Sequence, residues 1–309
     1  MGDKQAALKL AAIMLLFVIA LVALEASTRS GRGDSRDGRA RGGAPLIDLS
    51  PSGRMLASLA CALPVLLGFV IPALHLAGLA TSEAALGATR DLPGYAADSL
   101  WLGLATACAC LLASLLLAFA RSRSASPLVG GAIRLATLGY ALPGALLAVG
   151  LLAPLGALDV ELTRLARDTL GYAPGGLLLT GTSIVLIYAL SVRFLTVAYN
   201  SVESGMATIP PNLDAAARSL GAGPARVLAR IHAPLLAPSL GAAAALVFID
   251  TLRELPATLI LRPFNLETLA TRTYRLASDE RLAEASIPAL ILLAAGILPV
   301  ILLHRTARR

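Results

Sequence analysis

Residues 212–240 read NLDAAARSLGAGPARVLARIHAPLLAPSL. The stretch carries Asp214, Arg218, Arg226 and Arg230, a Gly-x-Gly at Gly221 and Gly223, and prolines at 224, 234 and 238. Apolar runs lie on both sides of it. Leu213, Ala216, Ala217 and Leu220 recur at helical spacing. Gly221 suits a left-handed helix cap, and Pro224 suits the first turn of a second helix. Val227, Leu228 and Ile231 give that second helix an apolar edge, which Pro234 is expected to end. Two short amphipathic helices at an angle are predicted, each too short to be stable alone in water. They need a surface, either lipid headgroups or another protein.

The surroundings decide what kind of chain holds such a segment. Of the 309 residues, 57% are hydrophobic and 15% charged, and mean hydropathy is +0.76. Soluble domains carry about 25% charged residues. The chain therefore reads as an integral membrane protein. Ala, Leu and Gly dominate, which suits close helix packing in lipid, and the ~10-residue alternation of a membrane barrel is absent. The fold class expected is all-α, a polytopic transmembrane bundle of about six core helices plus one extra N-terminal helix.

At about 20 residues per crossing, seven apolar spans emerge: Ala6–Leu24, Met55–Ala80, Ala97–Ala120, Ile133–Leu155, Leu177–Val197, Leu240–Leu261 and Ile287–Leu303. The first lacks a small-x-small cleavage site and reads as a retained helix. Residues 25–54 form a Gly/Arg-rich tract that cannot bury a core and reads as a flexible linker. Its Arg-Gly-Asp at 32–34 is a product of composition. Three parts follow: a helix at 1–24, a cytoplasmic linker at 25–54, and a transmembrane domain at 55–309.

The net charge of +7 is almost all arginine. Arginines gather at 29–54, at 121–134, at 218–230 and at the C-terminus, while the alternate connections are balanced or slightly acidic. The positive-inside rule then makes the opening stretch and the C-terminus cytoplasmic. It explains the charge better than nucleic acid does, and no nucleic-acid partner is expected. Cys108 and Cys110 point to nearly opposite sides of a helix, so no disulfide or metal site is expected of them. His75, His232 and His304 are scattered and read as packing residues.

The segment resembles the EAA loop of ABC-importer permeases: Glu-Ala-Ala, three residues, Gly, nine residues, Ile, any residue, Leu-Pro. Here Ala215, Ala216 and Ala217 are followed by Gly221, Ile231 and Pro234 at that spacing. The glutamate position holds Ala215, with Asp214 one residue earlier, and the leucine position holds Ala233. Further on, Glu-Leu-Pro-Ala-Thr at 254–258, Arg-Pro-Phe-Asn at 262–265 and Leu-Ala-Thr-Arg at 269–272 resemble the tail of ferric-iron-type permeases, close to thiamine permeases.

The resemblance implies a type I importer permease fold. It implies a loop about 200–235, with Asp214, Ala215, Ala216, Ala217, Gly221, Ile231 and Pro234, that docks on a cytoplasmic ATPase. It also implies an external substrate-binding protein, a second permease half or second copy, and surrounding lipid. Such permeases are often fused pairs of six-helix halves, so 55–309 is expected to be one half, preceded by the last helix of another. Ferric iron is the expected cargo, with thiamine, polyamine or sulfate as alternatives.

Asp250, Arg253 and Glu254 fall within the sixth span at i, i+3 and i+4, where Arg253 could pair with either acid. An unpaired charge at mid-bilayer costs at least about 2.5–3.5 kcal/mol. The cluster reads equally as a pathway or gate and as a structural pair. Pro256 after it should break the helix ladder. Arg193, placed at the end of the fifth span, reads as a snorkelling side chain.

No cofactor, metal site or catalytic residue is expected. The chain has no Gly-x-x-x-x-Gly-Lys-Ser/Thr loop, so it is not read as the ATPase, and no His-Glu-x-x-His or Gly-x-Ser-x-Gly. An ion-coupled secondary transporter is the alternative class. It would want matched acids in two inverted halves, and one cluster is present.

Overall fold

The computed structural model describes Ile13, Leu16 and residues 50–124, 126–171, 178–210 and 212–307. Among these there is helix and no strand. The chain divides into two units, Met1–Gly78 and Leu79–Arg309. The first expected span, apart from Ile13 and Leu16, and the linker as far as Leu49 lie outside the described residues.

Helix α1, Pro51–Leu79, carries a π-helical turn at Leu66–Val70. There the N–H of Ile71 reaches back five residues to Leu66, just ahead of Pro72. Proline offers no N–H to the ladder, and a π turn is one way to re-register it. The same device recurs at Leu228–His232, two residues before Pro234.

The second unit contains α2 (Glu83–Gly87), α3 (Leu92–Arg123), α4 (Pro127–Ala136), α5 (Gly144–Leu170) and α6 (Ser183–Met206). It continues with α7 (Asn212–Ser219), α8 (Pro224–Leu235), α9 (Ala237–Arg253), α10 (Pro256–Leu261), α11 (Leu269–Ser278) and α12 (Leu282–Ala307). Its centre is the trio α3, α6 and α9, each packed on the other two. Leu102, Cys110, Leu186, Leu190 and Val247 are buried there. Small residues set the spacing. A Cβ on Gly103 would stand 2.7 Å from the Phe248 ring, and one on Gly205 would stand 2.3 Å from Ser239 Oγ. Close approach of this kind is how helices pack in lipid. Helix α12 packs on α9 and α11, and α10 packs on α5 and α6.

Four helices, α1, α3, α5 and α6, are long and apolar enough to cross a membrane, and α8 with α9 forms a fifth such unit bent by 76°. The chain is thus a multi-pass helical bundle, but two expected spans are broken. The Ile133–Leu155 span ends at Ala136 and restarts at Gly144. Pro143 holds Leu142 extended, at ψ 135°, as a residue before proline is held, and a 3-10 turn fills 139–141. Consequently Asp159, Glu161, Arg164 and Arg167, expected in a connection, lie on the last turns of α5.

The Leu240–Leu261 span begins at Ala237 and stops at Arg253. Glu254 turns out of the helix at ψ 111°, and Pro256 opens α10. The fifth span runs nine residues further than expected, to Met206. Arg193 therefore sits in the middle of α6 and is not a snorkelling terminus. The seventh falls within α12, whose described apolar stretch, Leu282–Ile297, is shorter than a full crossing.

Candidate functional site: a polar elbow and a buried ion pair

The opening stretch folds as its local chemistry dictates. Gly221 has φ +77°. Ala222 N–H donates to Ala217 O at 3.0 Å, and Gly221 N–H donates to Arg218 O at 2.9 Å. That pair of bonds is a Schellman closure. Gly223 caps α8, and Pro224 takes its first position. Pro234 does not end this helix. The π turn absorbs it, and α8 runs to Leu235 before the bend at Leu236, which is buried.

Asp214 and His232, read from sequence as unrelated, are bonded. Asp214 Oδ1 accepts from the Nε2 edge of His232 at 2.6 Å. The other ring nitrogen faces Met206 Sδ at 3.0 Å, and the Phe119 ring meets the imidazole edge-on at 5.4 Å between centroids. The His232 side chain is 4% exposed and that of Asp214 20%. One contact set thus joins α7, α8 and the ends of α6 and α3. The signal was available, because Asp214 is the sole acid and His232 the sole histidine between Glu203 and Asp250.

Of the other residues singled out, Ala217 is buried, Ile231 half-buried, and Ala215, Ala216, Gly221 and Pro234 exposed. Leu213, Ala216, Ala217, Leu220 and Ile231 line a groove of about 320 Å³ between α7 and α8, with Arg226 and Arg230 beside it.

The expected acid–arginine cluster is rearranged. Because the helix stops at Arg253, Glu254 leaves the face it would have shared with Asp250 and Arg253. Its carboxylate pairs instead with Arg193, Oε2 to Nε at 3.2 Å. Arg193 Nη1 donates to Leu142 O at 2.6 Å, and Ala257 N–H donates to Glu254 Oε1 at 3.3 Å. Thr196 Oγ1 donates to Thr137 O at 2.6 Å. Two side chains of α6 thereby satisfy carbonyls freed by the break between α4 and α5. Water is absent at membrane depth, so such groups need protein partners. A Cβ on Gly144 would stand 2.2 Å from Glu254 Oε1, so a larger residue there would displace the carboxylate from this position. Asp250 is half-buried and Arg253 exposed. Arg193 was the missed member, and an ionisable residue deep in an apolar run is the signal that marks it.

Another buried acid serves the backbone. Asp159 is fully buried and accepts from the N–H groups of Leu178, Leu179 and Thr180 at 2.6–3.0 Å and from the Thr180 hydroxyl. It pins the approach to α6. Among the described residues no three His, Cys, Asp or Glu side chains gather to hold a metal ion.

This architecture, broken helices around a close-packed trio with a polar elbow between two of them, is shared with a chain of a solved ABC transporter. A chain in the crystal structure of a bacterial alginate ABC transporter, in complex with an alginate pentasaccharide-bound periplasmic protein, superposes with a TM-score of 0.58. The two are 15% identical, and the match covers 83% of this chain and 95% of that one.

The sequence relatives are permease proteins. The Fe(3+)-transport system permease protein FbpB 2 of Haemophilus influenzae is 30% identical over 126 residues, 41% of this chain and 25% of the relative. The 2-aminoethylphosphonate transport system permease protein PhnV of Salmonella typhimurium is 29% identical over 138 residues, 45% of this chain and 52% of the relative. The matches thus span a quarter to about half of these relatives' length. No protein-family model matches the chain. By fold and sequence likeness together, the chain resembles the permease subunits of ABC importers.

Proposed function

We propose that residues 55–309 form one permease half of an ATP-driven importer of the bacterial cytoplasmic membrane. It does no covalent chemistry and couples to cytoplasmic ATPase subunits through the elbow at 212–234. A periplasmic or extracellular binding protein supplies the cargo, and a second half or second copy completes the pathway. The observation that carries this reading is the elbow itself. A polar helix–turn–helix, closed by Gly221 and tied down by Asp214 and His232, stands between two apolar helices of a permease-like bundle. Phe119, near the arginine-bearing end of α3, touches His232, so Arg121 and Arg123 share the elbow's side of the protein. The positive-inside rule makes that side cytoplasmic.

Ferric iron is the cargo favoured, on the likeness to the Haemophilus protein and on the motifs at 254–272. A phosphonate is the second reading, on the likeness to the Salmonella protein. The Arg193–Glu254 knot and the half-buried Asp250 are read as the gate across that pathway. The test uses vesicles carrying this chain with the ATPase and binding protein encoded beside it. They should accumulate radiolabelled ferric iron when loaded with ATP, and should not accumulate 2-aminoethylphosphonate. Uptake driven by a proton or sodium gradient without ATP would overturn the importer reading in favour of a secondary transporter.

A further inference from the structure

Resting on that coupling reading, we infer that the elbow meets its ATPase through a cationic face with an apolar centre. The docking cleft on the ATPase is then acidic and supplies an apolar side chain to the α7–α8 groove. Three observations combine. First, the sole acid between Glu203 and Asp250 is Asp214, and its carboxylate is engaged inward by His232 at 2.6 Å. The Asp214 side chain is 20% exposed, so little of it is presented to a partner. Second, Arg218, Arg226 and Arg230 are all exposed. Arg226 and Arg230 are four apart, which aligns them along one side of α8. Arg218 Nε donates to Asp214 O at 3.1 Å, which fixes that side chain along α7. Third, the groove of about 320 Å³ is lined by Leu213, Ala216, Leu220 and Ile231 with Arg226 and Arg230, and Leu220 is 86% exposed.

The concave shape favours a protein over a membrane surface. A helix resting on headgroups presents a convex apolar face. Here the apolar residues border a shallow, open recess between two helices that Asp214 and His232 hold together, which a protruding side chain can enter. Arginine beside the recess selects a carboxylate-bearing neighbour, since its planar fork matches a carboxylate.

The experiment measures binding of the ATPase encoded beside this chain to full-length protein in nanodiscs, at low and high salt. The triple variant Arg218→Gln/Arg226→Gln/Arg230→Gln should weaken binding by about tenfold or more at low salt, as the loss of three exposed charge pairs allows. It should also lose the salt dependence of the native chain. The all-lysine triple should retain most of the affinity and the salt dependence. Ala216→Phe, which fills the groove with every charge in place, should weaken binding without flattening the salt response. Labelling of a Ser219→Cys reporter from the cytoplasmic side confirms insertion of each variant. Equal affinity of native and glutamine variants would overturn the inference while leaving an ATPase partner in place. Failure of the native chain to bind the ATPase would overturn both readings. Protection of the reporter by anionic phosphatidylglycerol vesicles alone, with ATPase affinity indifferent to all three arginines, would overturn the inference in favour of a membrane surface.

Discussion

Replacing Arg193 by methionine removes one half of the buried pair and leaves the other. The Glu254 side chain is 8% exposed, with its Oε2 3.2 Å from Arg193 Nε. At an effective dielectric near 20, two unit charges at that separation attract by about 5 kcal/mol. Removing the arginine also relieves its own desolvation, so the net loss is smaller. A one-sided break of a buried pair costs about 3–5 kcal/mol, and the uncapped Leu142 carbonyl keeps the value in the upper part of that range. Glu254→Gln should cost less, about 2 kcal/mol, because a neutral amide still accepts from Ala257 N–H and leaves Arg193 on Leu142 O. The decisive comparison is the double variant. Arg193→Met/Glu254→Gln should be more stable than Arg193→Met alone, since it removes the stranded charge. Unfolding in mixed micelles, followed by far-ultraviolet circular dichroism against denaturing detergent, gives the cycle. If Arg193→Met lies within about 1 kcal/mol of native and the second change restores nothing, the pair sits in water and the buried-knot argument fails. Interhelical contacts in membranes that average only ~0.6 kcal/mol set that threshold.

Other substitutions probe other links. Gly139→Ala places a Cβ 2.1 Å from Val192 O. A backbone atom cannot rotate away, so folded yield and thermal midpoint should both fall, whereas Gly131→Ala, with open space around it, should leave both unchanged. Asp159→Asn keeps the shape but weakens the acceptor for three N–H groups; it should cost about 2 kcal/mol and make the approach to α6 cleavable by added protease. Gly221→Pro or Asp214→Lys should leave the bundle folded by circular dichroism and raise ATP hydrolysed per cargo transported, and normal transport in both would refute the coupling role. His232→Gln should mimic Asp214→Lys in that ratio, because both release the same bond.

What the sequence disclosed follows the range of the interaction. The cap at Gly221 and the start at Pro224 depend on one residue's own backbone preference, and both are where the residue types put them. A break at Pro256 was legible for the same reason, though not the earlier stop at Arg253. The pairings were not. Arg193 and Glu254 are 61 residues apart in sequence, and Arg253 looked the better partner only because an unbroken helix was assumed. The split between α4 and α5 was hidden by hydropathy, which runs on through residues 137–143. Proline at 143 was the clue, yet proline is common enough in membrane helices to be tolerated. The bend at Leu236 is marked locally by Pro238 in the first turn of α9, while α8 absorbs Pro234 in a π turn and the chain turns two residues later.

That bend has a mechanical consequence. Helix α8 and helix α9 meet at 76° about the buried Leu236, where Gly205 lets α6 come close enough to act as a bearing. At 1.5 Å per residue the outer arm is about 18 Å long and the inner arm about 25 Å. The two form a bell crank. A rigid 10° swing that moves the arm's tip by ~3 Å carries the far end of α9, beside Glu254, by ~4 Å, as the arm lengths require. That stroke is larger than the 3.2 Å separation of the Arg193–Glu254 pair, so under the proposed coupling such a swing would part the two charges.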